Sequence, residues 1–435
     1  MSNIALKPTP VSRTKDFLTS QAAQKGYWSV FDQVIVSGSN FFTGLLLGRY
    51  LPQKEFGVFV VAWTTLMIML SVQNALITTP MSVIGARRDT MDNPGYFGSL
   101  LIFQLIGSLG LCLGLWLIAL SAPVFMVTLT EFRSIFTLLG LISIFFLGQE
   151  FFRRLLIVQL DIKRALVNDA ATHISRIAAL FILLQGGLLN STTCLIVVGF
   201  SSLLGCATGY RTVRSWLRIS RARIKTDFLE SWRFGKWVIA EMLPQTLSVQ
   251  GYTYLTAAYV GYAEAAALGA AQNVLNATNI ILVAYSNIML PAASRRYSER
   301  GAKSLHQFMI KTGFLSAVPV LGFYIITMFY SEEILHLAYH NKYSGYGALL
   351  VVCSLYFMVS FFNRILQVML YAKKQPDIGF IAKSLSLLVM VLLSFPLIRS
   401  YGVYGAAIGT VISQLIILMG VGYFVFRNYE REENY

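Results

Sequence analysis

Apolar runs of about twenty residues recur from residue 27 to residue 426, each closed by a short stretch of glycine, proline, asparagine or charged residues. A run of that length crosses the hydrocarbon of a bilayer as an α-helix, at a rise of about 1.5 Å per residue. The pattern predicts twelve spans: 27–48, 58–80, 97–120, 135–156, 169–189 and 193–210, then 237–259, 267–291, 308–330, 346–370, 378–398 and 403–426. A transmembrane barrel would instead alternate apolar and polar residues in segments of about ten. No interval is left for a soluble domain, so the chain reads as an all-α integral membrane protein.

Composition agrees. Of 435 residues 56% are hydrophobic, mean hydropathy is +0.62, and the 13% charged share is about half that of a soluble domain. The net charge of +15 would suit a nucleic-acid binder until the basic residues are sorted by loop. Segments on one side hold Lys7, Arg13, Lys15, Lys25, Arg87, Arg88, Arg153, Arg154, Lys163 and Arg164, the cluster Arg211 to Lys236, then Arg295, Arg296, Arg300, Lys303, Lys311, Lys373, Lys374, Arg427 and Arg431. The other side holds Arg49, Lys54, Arg133, Lys342 and Arg399. Short loops rich in Lys and Arg stay in the cytoplasm, and the asymmetry of about five to one predicts both termini there. The excess charge is then membrane orientation, and nucleic acid is not an expected partner. Residues 1–24 lack the apolar core of a signal peptide, so none is expected. Cys112, Cys194, Cys206 and Cys353 fall inside apolar runs and read as small core residues.

An internal repeat divides the spans six and six. At an offset of about 210 residues, Gly26-Tyr-Trp28 leading to Asp32 matches Gly235-Lys-Trp237 leading to Glu241, and Glu55 falls near Glu264. Pro80 before Arg87-Arg88 matches Pro291 before Arg295-Arg296, and Arg154 to Arg164 matches Arg364 to Lys374. The order predicts a tail at 1–24, a first lobe at 25–210, a basic interfacial linker at 211–236 facing anionic lipid, a second lobe at 237–426, and a tail at 427–435. Both lobes would enter from the cytoplasm, giving two pseudo-symmetric six-helix lobes around a central cavity.

The first, second, seventh and eighth spans are the polar ones. They carry Asp32, Asn40, Gln73, Asn74, Glu241, Gln245, Gln250, Gln272, Asn273, Asn276 and Asn279 among others. Polar groups in hydrocarbon need partners or water. Either they bond helix to helix, or as a set they line a hydrated cavity. Asp32 and Glu241 lie about 5 to 8 Å, one to one and a half turns, inside the cytoplasmic ends of their spans, and the cations at similar depth are Arg176 and Lys383, with Arg364 nearer its helix end. These five make ion-pair locks, or a cationic cavity floor for an anionic head group with Asp32 and Glu241 as coupling and gating carboxylates.

Weaker signals stand beside these. Gly44/Gly48, Gly110/Gly114, Gly205/Gly209 and Gly405/Gly409 permit close helix contact, expected within each lobe. Glu332, His336 and His340 share a helical face that reads as solvated rather than as a metal site. No phosphate-cradling Gly-x-x-x-x-Gly-Lys-Ser/Thr loop is present, and no cofactor or metal is expected.

The segments Tyr27-Trp-Ser-Val-Phe-Asp-Gln, Ser37-Gly-Ser-Asn-Phe-Phe-Thr-Gly, Arg49-Tyr-Leu-Pro-x-x-Glu-Phe-Gly and Gln73-Asn-Ala-Leu-Ile-Thr-Thr-Pro resemble the start of bacterial O-antigen and exopolysaccharide flippases. These belong to the multidrug/oligosaccharidyl-lipid/polysaccharide exporter superfamily. The resemblance covers about the first 90 residues. It implies alternating access around a cavity lined by the first, second, seventh and eighth helices. The implied cargo is an undecaprenyl-pyrophosphate-linked oligosaccharide moved from inner to outer leaflet of the bacterial inner membrane. Membrane lipids and other polysaccharide assembly proteins are the implied partners. Arg176, Lys383, Arg364, Asn40, Asn74, Gln272 and Asn276 are the expected substrate contacts. A cation-coupled multidrug exporter of the same superfamily would need an acidic cavity. A multi-pass glycosyltransferase or polymerase would need larger outer loops than these; neither this chain's loops nor its motifs suggest an enzyme.

Overall fold

The computed structural model describes residues 21–85, 93–125, 130–373 and 375–433. Most of the N-terminal tail, the Arg87-Arg88 pair and Lys374 lie outside the described residues. The elements are α1 (Gln21–Tyr50), α2 (Gln53–Ile84), α3 (Asn93–Phe125), α4 (Thr130–Val158), α5 (Ile162–Gln185) and α6 (Ser191–Val213). They continue as α7 (Arg221–Tyr259), α8 (Tyr262–Leu275), α9 (Asn279–Phe329), α10 (Ser331–Tyr339), α11 (Gly347–Ala372) and α12 (Pro376–Glu433). Among the described residues there is no strand.

Two of these elements are hairpins. Gly301 (φ 73°) divides α9 and Gly402 (φ 57°) divides α12, both in backbone conformations that side chains with a Cβ rarely adopt. The arms of α9 meet where Arg296 Nε donates to Ser304 Oγ and again, farther out, where Thr278 Oγ1 and Tyr324 Oη lie 2.5 Å apart. The arms of α12 meet at Ser386 Oγ, which donates to the Ser413 carbonyl at 2.9 Å. Ten segments are apolar and long enough to cross a membrane, among the described residues. That number takes α12 as one segment and omits α7, whose basic first turns, Glu241 and buried or half-buried amides and hydroxyls such as Gln245, Thr246, Ser248 and Gln250 lower its hydropathy. Counting both arms of α12 and adding α7 gives the twelve crossings that the pattern predicts.

Helices α1 to α6 pack among themselves, α1 on α5 and α4 on α3 and α6; α7 packs on α12, and α11 on α9 and α12. The two sets meet mainly where α2 packs on α8 and α7. Large apolar side chains on α3, on the second arm of α9 and on the first arm of α12 stay exposed, as lipid-facing surfaces do. The basic segment expected as a separate linker over 211–236 is divided: α6 takes its start, a short turn ends at Ser220, and residues from Arg221 onward extend α7 as one continuous helix. That extension docks on α3 through Ser99 Oγ, which donates to the buried Asp227 Oδ2 at 2.7 Å.

The small-residue motifs divide differently from expectation. Gly205, Gly209, Gly405 and Gly409 do pack within their own lobes, and Gly110 and Gly114 meet nothing. Gly44 and Gly48 instead face the other lobe, where an added Cβ would lie 2.3 Å from Asn273 Oδ1 and 2.6 Å from Tyr339. At Gly57 a Cβ would lie within the backbone of Tyr262. Close contact between lobes is what these glycines permit.

Candidate functional site

Between the lobes lies a cavity of about 520 Å³, within the range of small-molecule sites. Its first-lobe wall is cationic and aromatic. Helix α4 supplies Glu150, Arg153 and Arg154, α5 supplies His173 and Arg176, α1 supplies Asn40, and α2 supplies Trp63 and Asn74. The second-lobe wall carries no charge. It presents Gln250 on α7, Gln272 and Asn273 on α8, Asn276 in the turn that follows and Asn279 at the start of α9.

A π-helical turn over Asn74–Thr78 interrupts the α-helical ladder of α2. Pro80 lacks the N–H that an α-helical bond would need there, so the ladder slips by a residue. Asn74 reaches the cavity with its amide oxygen held by Thr78 Oγ1 at 2.8 Å. Its neighbour Gln73 points the other way and donates to Gln104 and to the Leu147 carbonyl. Polarity along α2 therefore serves both purposes, cavity lining and helix-to-helix bonding.

Arg176 is the most deeply buried cation of the lining. It is 2% exposed, Nε donates to Ser201 Oγ at 3.3 Å, Nη1 donates to Asn40 Oδ1 at 3.4 Å, and the guanidinium lies 5.8 Å from the centre of the Trp63 ring. Among the described residues no carboxylate lies within ion-pair distance of it. Trp63 is itself held by Phe59, stacked beneath it, and by the edge of Phe146. Three arginines face one glutamate across this lining.

Asp32 does not hold Arg176. Its partner is Arg153, at 3.3 Å, which also binds Asp169 at 2.5 Å and Glu150 at 3.7 Å. The reason is reach: α1 packs on α5, and Arg153 of α4 meets Asp32 on the one and Asp169 on the other. Asp169 is fully buried and takes a second bond from Gln149 at 3.2 Å. Asp32 Oδ1 is buried without a partner. In the second lobe Glu241 Oε1 accepts from Lys383 Nζ and from Tyr371 Oη, each at 2.8 Å.

The cavity thus gathers Arg176, Asn40, Asn74, Gln272 and Asn276, while Lys383 and Arg364 do not line it. Lys383 is drawn off by Glu241, and Arg364 sits on α11 outside the lining. Sequence reasoning missed Arg153, although it falls inside the fourth predicted span, and missed Trp63 and His173 as cavity groups. For Arg153 the depth in the span was the available signal; for the others there was none without the packing. Glu332 and His340 have structural partners: the Glu332 carboxylate accepts from the backbone of Gly345 and Gly347, and His340 meets Arg49.

The loop after α10 ties the second lobe to the end of α1. Lys342 Nζ donates to the carbonyls of Arg49 and Leu51 at 2.7 and 2.6 Å, at the C-terminal end of α1, where a cation is favoured. Gln53 Nε2 donates back to the Lys342 carbonyl at 2.5 Å. Burial holds the Lys342 ammonium below the usual lysine range.

No protein-family model matches the chain, and no curated protein matches it in sequence. Solved structures do. An outward-facing multidrug resistance MATE family transporter of the MOP superfamily superposes with a TM-score of 0.65 at 12% identity, over 98% of this chain and 100% of that one. The lipid II flippase MurJ in an inward closed conformation gives 0.68 at 13% identity, over 93% and 87%. A MOP superfamily transporter from Pyrococcus furiosus, described as having a binding pocket of reverse polarity, gives 0.67 at 14% identity, over 97% and 98%. With its twelve crossings in two packed lobes, this multi-pass membrane protein has the fold of the MOP superfamily transporters.

Proposed function

We propose that the protein carries an undecaprenyl-pyrophosphate-linked oligosaccharide from the inner to the outer leaflet of a bacterial inner membrane, by alternating access of its two lobes. The observation that carries this reading is Arg176, a buried guanidinium without a carboxylate partner on the wall of the interlobe cavity. An uncompensated charge in such a place is costly, and an anionic cargo removes the cost. Asn40 orients the guanidinium toward the cargo. Asn74 on the same wall, and Gln272 and Asn276 on the opposite one, offer amide donors and acceptors to sugar hydroxyls, and the lipid tail stays in the bilayer. Both termini and the basic loops face the cytoplasm in this reading. Asp32 and Glu241 act in coupling and gating rather than in substrate contact, with Lys383 neutralising Glu241. The lipid II flippase among the structural neighbours supports a lipid-linked cargo.

Arg176→Ala, with membrane insertion verified, is expected to stop transport and to accumulate lipid-linked oligosaccharide in cells. Normal surface polysaccharide in that strain would sink the reading. One observation favours a rival, the cation-coupled drug exporter: Asp32, Glu150 and Asp169 outnumber the arginine they share. That reading predicts altered resistance to lipophilic cations on deletion, with no accumulated lipid-linked sugar.

A further inference from the structure

His173 lies one turn before Arg176 on the same face of α5, and both line the cavity. His173 is 5% exposed, and its Nδ1 is buried with no hydrogen-bond partner. Arg176 spends Nε on Ser201 and one Nη1 bond on Asn40, which leaves N–H groups open. Open polar atoms on two adjacent buried side chains mark a missing partner, and beside an uncompensated guanidinium that partner is an anion.

We propose that His173 and Arg176 form a two-point site for a pyrophosphate diester, one phosphoryl group at each, with His173 charged while the anion is bound. The inference rests on the transport reading above and names the group that the cavity grips. A pyrophosphate diester is a dianion, and at this point of the wall Arg176 matches one of its charges, since Arg153 is held by three carboxylates and Arg154 stands on α4 beside it. An imidazolium supplies the second positive charge and donates to the anion through a ring nitrogen. The proton comes from solvent as the anion enters and returns to solvent as it leaves; no bond in the cargo is made or broken. The other charged groups facing this site are Asp169 behind it on α5, Asp32 on α1, and Glu150, Arg153 and Arg154 on α4. Asp32, Glu150 and Asp169 share Arg153, and Asp32 keeps one buried oxygen without a partner, so these carboxylates are the rival proton acceptors that the histidine variants tell apart from His173. Binding would then draw a proton into the first lobe, and release at the far side would return it.

The test uses the purified full-length protein and dimethyl pyrophosphate, a dianion that does not itself titrate near neutrality, with the monoanion dimethyl phosphate beside it. Calorimetry in buffers of different ionisation heat counts the protons taken up between about pH 5.5 and 8.5, the range in which histidine changes charge. Wild type is expected to take up a proton per dianion bound and to bind it more weakly as pH rises, while the monoanion binds without uptake. His173→Gln should bind the dianion about tenfold or more weakly, as loss of a charged hydrogen bond implies, with no uptake and a flat pH profile. Its unfolding temperature checks folding, and His173→Asn repeats the measurement with a shorter side chain. Arg176→Gln should lose the dianion altogether. Uptake that persists in both histidine variants would assign the proton to Asp32, Glu150 or Asp169 and overturn the inference, as would a wild type that does not bind the dianion. Histidine-dependent binding in a protein whose deletion accumulates no lipid-linked oligosaccharide would instead bring down the transport reading and leave the anion site standing.

Discussion

The two lobes place a carboxylate at matching positions and neutralise it in different ways. Asp32 in the first lobe joins Asp169 and Glu150 around Arg153, three carboxylates to one guanidinium, at the edge of the cavity. Glu241 in the second lobe meets Lys383 and the Tyr371 hydroxyl, one to one, away from the cavity. The offset of about 210 residues accounts for the contrast position by position. Arg153 corresponds to Asn363, which donates to Gln414 instead. Asp169 corresponds to Gly379, where an added Cβ would lie 3.6 Å from Glu241 Oε1. Arg176 corresponds to the buried Ser386, and His173 to Lys383. The repeat keeps the helix that bears the acid and differs in what that acid faces. One lobe retained charge to spare beside the cavity; in the other the charges close on one another. This fits a division of labour in which the first lobe grips an anion and the second offers only neutral amides to what the anion carries.

Breaking the crowded cluster should have the largest effect. Arg153→Met leaves Asp32 and Asp169 buried without their cation, which by analogy with other broken buried pairs costs about 3–5 kcal/mol. Thermal unfolding in detergent, read against wild type, measures it; an unchanged midpoint would mean the cluster carries no structural weight. The balanced pair should be more forgiving. Glu241→Gln and Lys383→Met alone are each expected to destabilise by about 2–3 kcal/mol, and the double variant by clearly less than their sum, since removal of both charges leaves neither unpaired. A double-mutant cycle with no coupling would show that the two groups do not depend on each other.

Making the second lobe resemble the first sharpens the contrast. Gly379→Asp would set a second carboxyl against Glu241. Two neighbouring carboxylates repel when both are ionised, so the variant should lose about 1–2 kcal/mol at pH 8 and less at pH 5, where one takes a proton. Equal losses at both pH values would mean that the new side chain turns away. The smallest effect is expected from Tyr371→Phe, which removes one hydrogen bond to Glu241 and should cost about 1 kcal/mol while Lys383 stays in place. A larger loss would assign the hydroxyl a share of the neutralisation.

The sequence alone determined the class of protein, the crossings and the repeat, because hydrocarbon thickness and the cost of unpaired polar groups act on local segments whatever their neighbours. It determined which helices are polar, and so where to look for a cavity. Lowered hydropathy in α7 did not hide that helix from the repeat, since Gly235, Trp237 and Glu241 still marked it. What the tertiary structure alone decided was pairing. Depth along a helix is legible, but azimuth against neighbouring helices is not, and a guanidinium reaches several side chains at one depth. So Arg176, at the right depth for Asp32, faces Trp63 and Asn40, and Arg153 takes the carboxylates. Lys383, at the right depth for the cavity floor, turns to Glu241. Gly44 and Gly48, spaced for contact with any helix, meet the opposite lobe because α1 ends where α8 and Tyr339 of α10 converge. Which group is matched and which is left open depends on distances of a few ångströms between segments far apart in the chain, and those only packing sets.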